Sequence, residues 1–300
     1  MFKSVLPSTT KRPPAQRNWP GEWATLSAVL SDHYNFTLWL LVGGSIQAIL
    51  GLVFQSAYTC LPVLFFLLFQ CLKTFAINMG ILRNPYLEGV TFDRTAPQIP
   101  DEDGNFHSDA GAENITVFLL GFKINHPLGI LAPHIQTIND ANIRMWKELE
   151  ETSPDSGYYG GSEWTCRDPR GAVEVLTISY WRSTEDVHRF AYGPVHRKIW
   201  DYWNSHHKEL SHLGISHEMY EVPKHKWEGV YLNFQPTLLG ATSYLKKGDK
   251  FIGGNVDDKW ISSLLDASKG KLRTSAGRLG RDPTELYETF NDTPKVYKDE

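Results

Sequence analysis

The sequence predicts an α+β fold: a ferredoxin-like βαββαβ unit preceded by an N-terminal transmembrane helical hairpin. Three observations carry this. Between residues 115 and 222 apolar segments run in the order strand, helix, strand, strand, helix, strand. Residues 34–72 contain no Asp, Glu, Lys or Arg, about twice the length that one helical crossing of a bilayer needs. Ser183, with Asp186 three residues on, marks a capped turn from an apolar strand into a helix. Two such sheets facing each other in a homodimer would close a dimeric α+β barrel.

The chain divides accordingly. Residues 1–33 hold Pro7, Pro13, Pro14 and Pro20 among polar side chains, the composition of a flexible arm, with Trp19 and Trp23 near the membrane. Residues 34–82 form the hairpin. Phe36 to Phe54 makes its first span, with Gly44, Ala48 and Gly51 as a small-residue face for close helix packing. Gln55 to Thr59 is the polar break; Thr59 can cap the second helix, and Pro62 falls in its first turn, where a missing N–H costs little. One span plus an interfacial helix is the alternative arrangement. Lys73 can snorkel to the headgroups. Lys3, Lys11, Arg12 and Arg17 precede the apolar stretch, and Lys73 and Arg83 follow it. The positive-inside rule then puts both ends in the cytosol, on the cytosolic face of an endoplasmic-reticulum membrane. The sequons at Asn35, Asn114 and Asn291 are expected to stay unused, since so short a pattern often arises by chance.

Residues 83–112 are a linker, with Pro85, Pro97, Pro100 and the run Asp101-Glu102-Asp103-Gly104. Residues 113–240 are the barrel domain. Ile115 to Ile124 is its first strand. Pro133 to Glu151 is a helix with Ile135, Ile138, Met145 and Leu149 on one stripe and Asn142 in the remaining position. Tyr158 to Cys166 and Ala172 to Tyr180 pair across the turn Arg167–Gly171. A helical region broken at Gly193-Pro194 reaches Leu210, and Gly214 to Val222 and Trp227 to Phe234 are further strands. Residues 241–300 read as a polar tail, wrapped on the partner subunit or mobile.

Thirty basic against 34 acidic side chains leave no footprint for nucleic acid. The three cysteines, Cys60, Cys71 and Cys166, have no disulfide or zinc spacing. There is no dinucleotide glycine motif, no P-loop and no G-x-S-x-G elbow. His107-Ser108-Asp109 has the spacing of two ligands of an iron triad but lies in the linker, so no metal is expected.

The candidate chemistry gathers at one corner. Trp181, Arg182, His188, His196 and Trp200 surround the capped strand-to-helix turn, and aromatic walls with a few titratable groups suit a pocket for an apolar, oxidisable molecule. His196 stands one helical turn before Trp200. His217 shares a strand face with Ile215 and Met219, an environment expected to keep it neutral as a base, while Glu218 and Tyr220 share the opposite face. Tyr231 and Asn233 alternate onto one face of the last expected strand, where they could hold a substrate oxygen.

The segments Tyr180-Trp181-Arg182-Ser183, Phe190-Ala191, His196, Trp200, Gly214 to Tyr220 and Tyr231-Leu232-Asn233 with Pro236, in that order, resemble a fungal and bacterial monooxygenase-like family. That family belongs to the superfamily of dimeric α+β barrels that includes the antibiotic-biosynthesis monooxygenases, and one relative works in fumagillin biosynthesis. The family pattern has Thr where Met219 stands. The resemblance implies a membrane-anchored homodimer in secondary metabolism that oxidises an apolar polyketide, terpenoid or polyene by hydroxylation or oxidative cleavage. Dioxygen would be the co-substrate, with no dedicated cofactor. It further implies His196 or His217 as base, Trp181, Trp200 and Tyr231 as substrate contacts, and Arg182, Tyr220 and Asn233 as donors. Two alternatives stay open. One is a haem enzyme of the aldoxime dehydratase type with His196 or His217 as axial ligand; the other is a membrane-tethered binding protein without turnover.

Overall fold

The computed structural model describes residues 2–13, 34–153, 155–169, 171–248, 250–251, 254–255 and 258–282. Trp19, Trp23, Arg17 and Asn291 lie outside them. Two helices, α1 (Phe36–Phe54) and α2 (Leu61–Asn78), are long and apolar enough to cross a membrane, and neither has a buried residue. Asn35 caps α1 by accepting the Leu38 amide at 2.8 Å, and Gln55 ends it in the left-handed region at φ 46°. Ser56, rather than Thr59, caps the one-turn 3₁₀ helix Ala57–Cys60 that leads into α2, and Pro62 sits in the first turn of α2. The small-residue face is not used: a Cβ on Gly43, Gly44 or Gly51 would meet nothing within 4 Å. The helices meet at the turn instead, where Gln47 donates to Thr59 Oγ1 and Cys60 Sγ.

The domain begins with β1 (Thr95–Pro97) and continues through β2 (Ile115–Ile124), α3 (Ile135–Thr152), β3 (Tyr158–Arg167), β4 (Val173–Trp181), α4 (Thr184–Ala191), α5 (Pro194–Ser205) and β5 (Leu213–Val222). Strands β3-β4-β2-β5 form one antiparallel sheet in that order, the arrangement of a βαββαβ unit. The α+β class and the ferredoxin-like order are as the pattern implied.

Alternation along the strands sends successive side chains to opposite faces. Phe118, Phe122 and Ile124 of β2 point to the helical layer. There they pack with Ile135, Ile138 and Leu149 of α3, Val187 and Phe190 of α4, and Ile199 and Trp203 of α5. On α3 the buried residue between Ile138 and Leu149 is Ala141, and Asn142 is only half-buried beside it. The helix starts at Ile135 rather than Pro133 because His134, at φ 65°, breaks the helical run.

The other sheet face is covered at one end by segments that the sequence suggested were linker, arm and tail. Ile115, Val117, Ile178 and Tyr180 pack there against Ile99, Trp227, Leu239 and Tyr244. Beyond β5 the chain adds β6 (Ser243–Lys246), a two-residue ladder of β7 (Lys250–Phe251) and β8 (Gly254–Asn255), β9 (Lys259–Ser262), β10 (Leu264–Asp266) and α6 (Ser275–Arg278). β1 pairs with β10, and β6 with β9. The start of the chain joins them: Ser4 bridges to Leu265 and Thr9 to Trp260. Arg12 inserts its guanidinium between the Tyr158 and Trp260 rings, 5.0 and 5.2 Å from their centroids, and bonds Glu150 at 3.2 Å. Residues 2–13 are thus part of the domain, and the described residues of 241–282 pack into it rather than forming a tail. Its apolar residues, Leu264, Leu265, Ala267 and Leu272, are spaced too irregularly for either periodicity to show.

Trp227 to Phe234 is not a strand. It makes two isolated bridges, Tyr231 to Thr95 and Phe234 to Thr91, and bends at Asn233, whose φ is 52°. A bulge in β3 finishes the second face. It lies between Tyr158 and Gly160, so Tyr158 joins the helical layer while the Tyr159 ring packs at a tilt on Tyr244, with centroids 4.8 Å apart.

Candidate functional site

The corner at Ser183 is built as a piece of the core. Ser183 Oγ accepts the Asp186 amide at 3.2 Å, capping α4. The buried Asp186 carboxylate receives Arg182 through Nε and Nη2, both at 2.9 Å, and Arg189 Nη1 at 2.5 Å. Burial alone would raise that carboxyl, but hydrogen bonds from Arg182, Arg189 and Ser183 outweigh it and hold its pKa below the usual range. Trp181 is 1% exposed, donates to Ser179 Oγ at 2.9 Å, and packs between Tyr158 and Phe190. Trp200 is 53% exposed on α5. Trp181 and Trp200 therefore do not wall one pocket, and Arg182 is held by Asp186.

The two histidines part company as well. His196 is half-buried beside Phe190, with ring centroids 5.7 Å apart, and its buried Nδ1 has no hydrogen-bond partner. Burial lowers its pKa, and the Ala191 backbone carbonyl only partly opposes this. His217 does face the helical side with Ile215 and Met219, but β5 is an edge strand. Its ring lies exposed against Phe118 at 5.8 Å, not in an apolar enclosure. Tyr220 is exposed on the opposite face and donates to the Glu218 carboxylate, which raises the phenol's pKa. Asn233 is exposed at its bend.

A cleft of about 370 Å³ opens on the other sheet face, between β2, β4 and β5 and the segment 227–239. Ile115, Val117, Val222, Trp227, Leu238 and Leu239 make its walls largely apolar. Tyr180 and Tyr231 bring phenols to it, so Tyr231 is the one candidate from the sequence that lines this space. Its other phenol comes from the neighbour of Trp181: alternation along β4 turns Trp181 into the helical core and Tyr180 toward the cleft.

Local geometry fixes both phenols. Gly240 donates its amide to the Tyr231 oxygen at 3.0 Å, and a Cβ on Gly240 would stand 2.9 Å from the Tyr231 ring carbon Cζ, so only glycine lets the ring approach. Burial raises the Tyr231 pKa, with the Gly240 amide opposing. Burial also raises Tyr180, the Tyr231 phenol adding to it and the Leu239 amide opposing. Both are neutral donors at physiological pH. Trp227 anchors the far wall by donating to the Glu113 carbonyl at 2.8 Å. The Glu228 carboxylate, also at the cleft, is taken up by Arg278 and Ser275, each at 2.7 Å.

Among the described residues no histidine lines the cleft. His107 bonds Glu113 at 2.6 Å while Asp109 meets Lys271 at 3.2 Å, so the pair does not converge on a metal. Among the described residues no group of three or more His, Cys, Asp or Glu is arranged to hold a metal ion.

Residues 115–239 match the family described as Monooxygenase af470-like. Monooxygenase af470 of Aspergillus fumigatus is 29% identical over 261 residues, covering 86% of this chain and 92% of the relative, so the similarity reaches well beyond the matched domain. The resemblance drawn from the short motifs is borne out, and family and relative agree on monooxygenation as the reaction class. Among solved structures, an aldoxime dehydratase is similar at 15% identity and TM-score 0.32, over 67% of this chain and 48% of its own. A Bacillus cereus protein assigned to the antibiotic-biosynthesis monooxygenases is similar at 18% identity and TM-score 0.22, over 36% and 92%. Scores that low carry no argument about chemistry.

Proposed function

We propose that this chain, whose residues 115–239 match the monooxygenase af470-like family, is a membrane-held monooxygenase that oxidises an apolar substrate in the cleft beside Tyr180 and Tyr231. One observation carries the reading. An apolar cleft presents two neutral phenols, one already accepting a backbone amide, so its proton is free to be donated to a substrate oxygen. Donors fixed in advance in a dry site stabilise developing negative charge far better than water does.

The chemistry that fits is oxidation of an electron-rich substrate that supplies its own electrons. A CH₂ group made acidic by a neighbouring carbonyl or phenol loses a proton to water, and the phenols hold the resulting enolate or phenolate oxygen. The carbanion adds dioxygen, and the peroxide anion takes the proton back from water to give a hydroperoxide. Loss of water then leaves C=O, so CH₂ and O₂ become C=O and H₂O, with the substrate as reductant. This reading needs no histidine base, which agrees with the positions of His196 and His217 away from the cleft. Neither residue stands where it could be an axial haem ligand in that cleft. An apolar polyketide, terpenoid or polyene of a secondary-metabolite pathway meets these demands.

Chain topology supports the membrane reading in a specific form. Residues 2–13 pair with β9 and β10, so both ends of the α1–α2 segment return to one folded domain. Such a segment can cross a bilayer twice or not at all, but not once. The basic flanks favour the cytosolic face, in the endoplasmic reticulum for a fungal pathway. The uncovered end of the sheet face, with exposed Trp164 and Tyr220, is the surface on which a second copy would complete a barrel.

The test is oxygen uptake by the detergent-purified chain with a conjugated, apolar CH-acid. Uptake without a Soret band, and its loss in Tyr231→Phe, is the expected outcome. Uptake that persists in Tyr231→Phe/Tyr180→Phe at the wild-type rate would remove the cleft from the mechanism.

A further inference from the structure

The end of α2 and the wall of the cleft are parts of one hydrogen-bonded unit. Past Asn78 the amides of Ile81 and Leu82 turn back to the Ala76 carbonyl, at 2.8 and 3.2 Å, so the chain stays at the helix end. Only Arg83, Asn84 and Pro85 then separate Leu82 from Tyr86, a reach of about 14 Å at full extension. Gln235 Nε2 donates to the Tyr86 and Glu88 carbonyls at 3.2 and 3.3 Å. Further on, Thr91 bridges to Phe234 and Thr95 to Tyr231, which lines the cleft.

Four exposed side chains of this unit are large and apolar: Tyr86 at 82% exposure, Leu232 at 61%, Phe92 and Phe234. They stand among the exposed charges Arg83, Glu88, Asp93 and Arg94. Several large apolar side chains left exposed together with basic ones mark an interaction surface. Its partner follows from continuity with α2. A bilayer of about 40–45 Å contains about 30 Å of hydrocarbon, which leaves a polar layer of roughly 5–8 Å on each side. Residues tethered within about 14 Å of a spanning helix, and fixed to a rigid domain, lie in or beside that layer. Aromatic side chains next to a basic residue, here Arg83, are what that layer favours. The other helix is tied to the domain too: Tyr34, just before α1, donates to the Leu128 carbonyl at 3.1 Å.

We propose that Tyr86, Phe92, Leu232 and Phe234 seat the domain on the lipid surface and turn the mouth of the cleft toward the bilayer. An apolar substrate then passes from lipid to Tyr231 without crossing bulk water. The inference rests on the reading that α1 and α2 span a membrane, and it stands apart from which oxidation follows.

Nitroxide labels test it in the full chain with Cys60, Cys71 and Cys166 replaced by Ser. Phe92→Cys and Leu232→Cys, reconstituted in phosphatidylcholine vesicles, are compared with Ile46→Cys on α1 and Lys147→Cys on α3, where the lysine side chain is 71% exposed on the helical layer. Phe92 and Leu232 are exposed, so their replacement removes no core packing and the variants fold. Collision with oxygen should exceed collision with a water-soluble nickel chelate severalfold at residues 46, 92 and 232, with the reverse at 147. Nickel-dominated signals at 92 and 232 beside a lipid-like 46 would overturn the seating while sparing the membrane spans. Labels at 92 and 232 shielded from both probes would overturn it in favour of a protein partner. A nickel-accessible residue 46 would remove spans and seating together and leave the monooxygenase reading standing.

Discussion

The Tyr231 hydroxyl accepts the amide of Gly240 at 3.0 Å, and the missing side chain of Gly240 is what lets the ring lie against that amide. The pair fixes where a substrate oxygen can bind. Tyr231→Phe should lower oxygen turnover about a hundredfold, the usual cost of one oxyanion donor. Gly240→Ala should displace the ring and approach the same loss although the phenol remains. Steady-state oxygen uptake, with circular dichroism to confirm folding, checks both.

His196→Ala and His217→Ala should leave turnover within about twofold of wild type, because neither ring lines the cleft. A positioned general base contributes about a hundredfold or more, so the two outcomes are well separated. A large loss in either variant would return the site to the helical face.

His196 also gives a pH signature. Its folded pKa is depressed by burial, so its contribution to stability is present above the unfolded value of about 6.5 and is lost as pH falls through the folded one. His196→Phe should flatten the decline of the urea midpoint below pH about 6.5.

Tyrosines give the opposite limb. Burial raises Tyr158, Tyr159, Tyr180 and Tyr244 above the ordinary phenol. Stability from these groups is complete below pH about 10 and falls as pH rises through their folded values, since the unfolded chain ionises first. Phenolate absorbance from these four should therefore appear only with unfolding.

The ion cluster at the corner is structural. Asp186→Asn should cost about 2 kcal/mol, the scale of hydrogen bonds to a charged group, and should spare turnover. Urea denaturation and oxygen uptake on the same sample separate the two effects.

What the sequence disclosed followed periodicity. The order of strands and helices, the Ser183 cap and the charge-free stretch rest on local rules, and each appears where its rule put it. The cleft was harder to see because its residues come from four separate parts of the chain. Tyr231 is legible, but Tyr180 precedes Trp181 directly, and the bulkier neighbour carries the stronger local signal. Strict alternation along β4 could have separated them, since Val173, Thr177 and Ser179 share the face of Trp181. The second layer had no local signal at all. Its bridges join Ser4 to Leu265 and Thr95 to Tyr231, contacts that only the folded chain brings together.

That bridge between Ser4 and Leu265 has a consequence for synthesis. The segment at Ser4 leaves the ribosome about 260 residues ahead of its partner at Leu265, and α1 and α2 emerge in between. At about 5–20 residues per second the partner strand arrives some tens of seconds later. Until then β1 and the apolar face of β2 stand without their cover, in a chain whose helices are already beside lipid. Premature release, or a stop codon shortly before Trp260, would leave a nascent chain with an open sheet face at the membrane, a natural target for quality control.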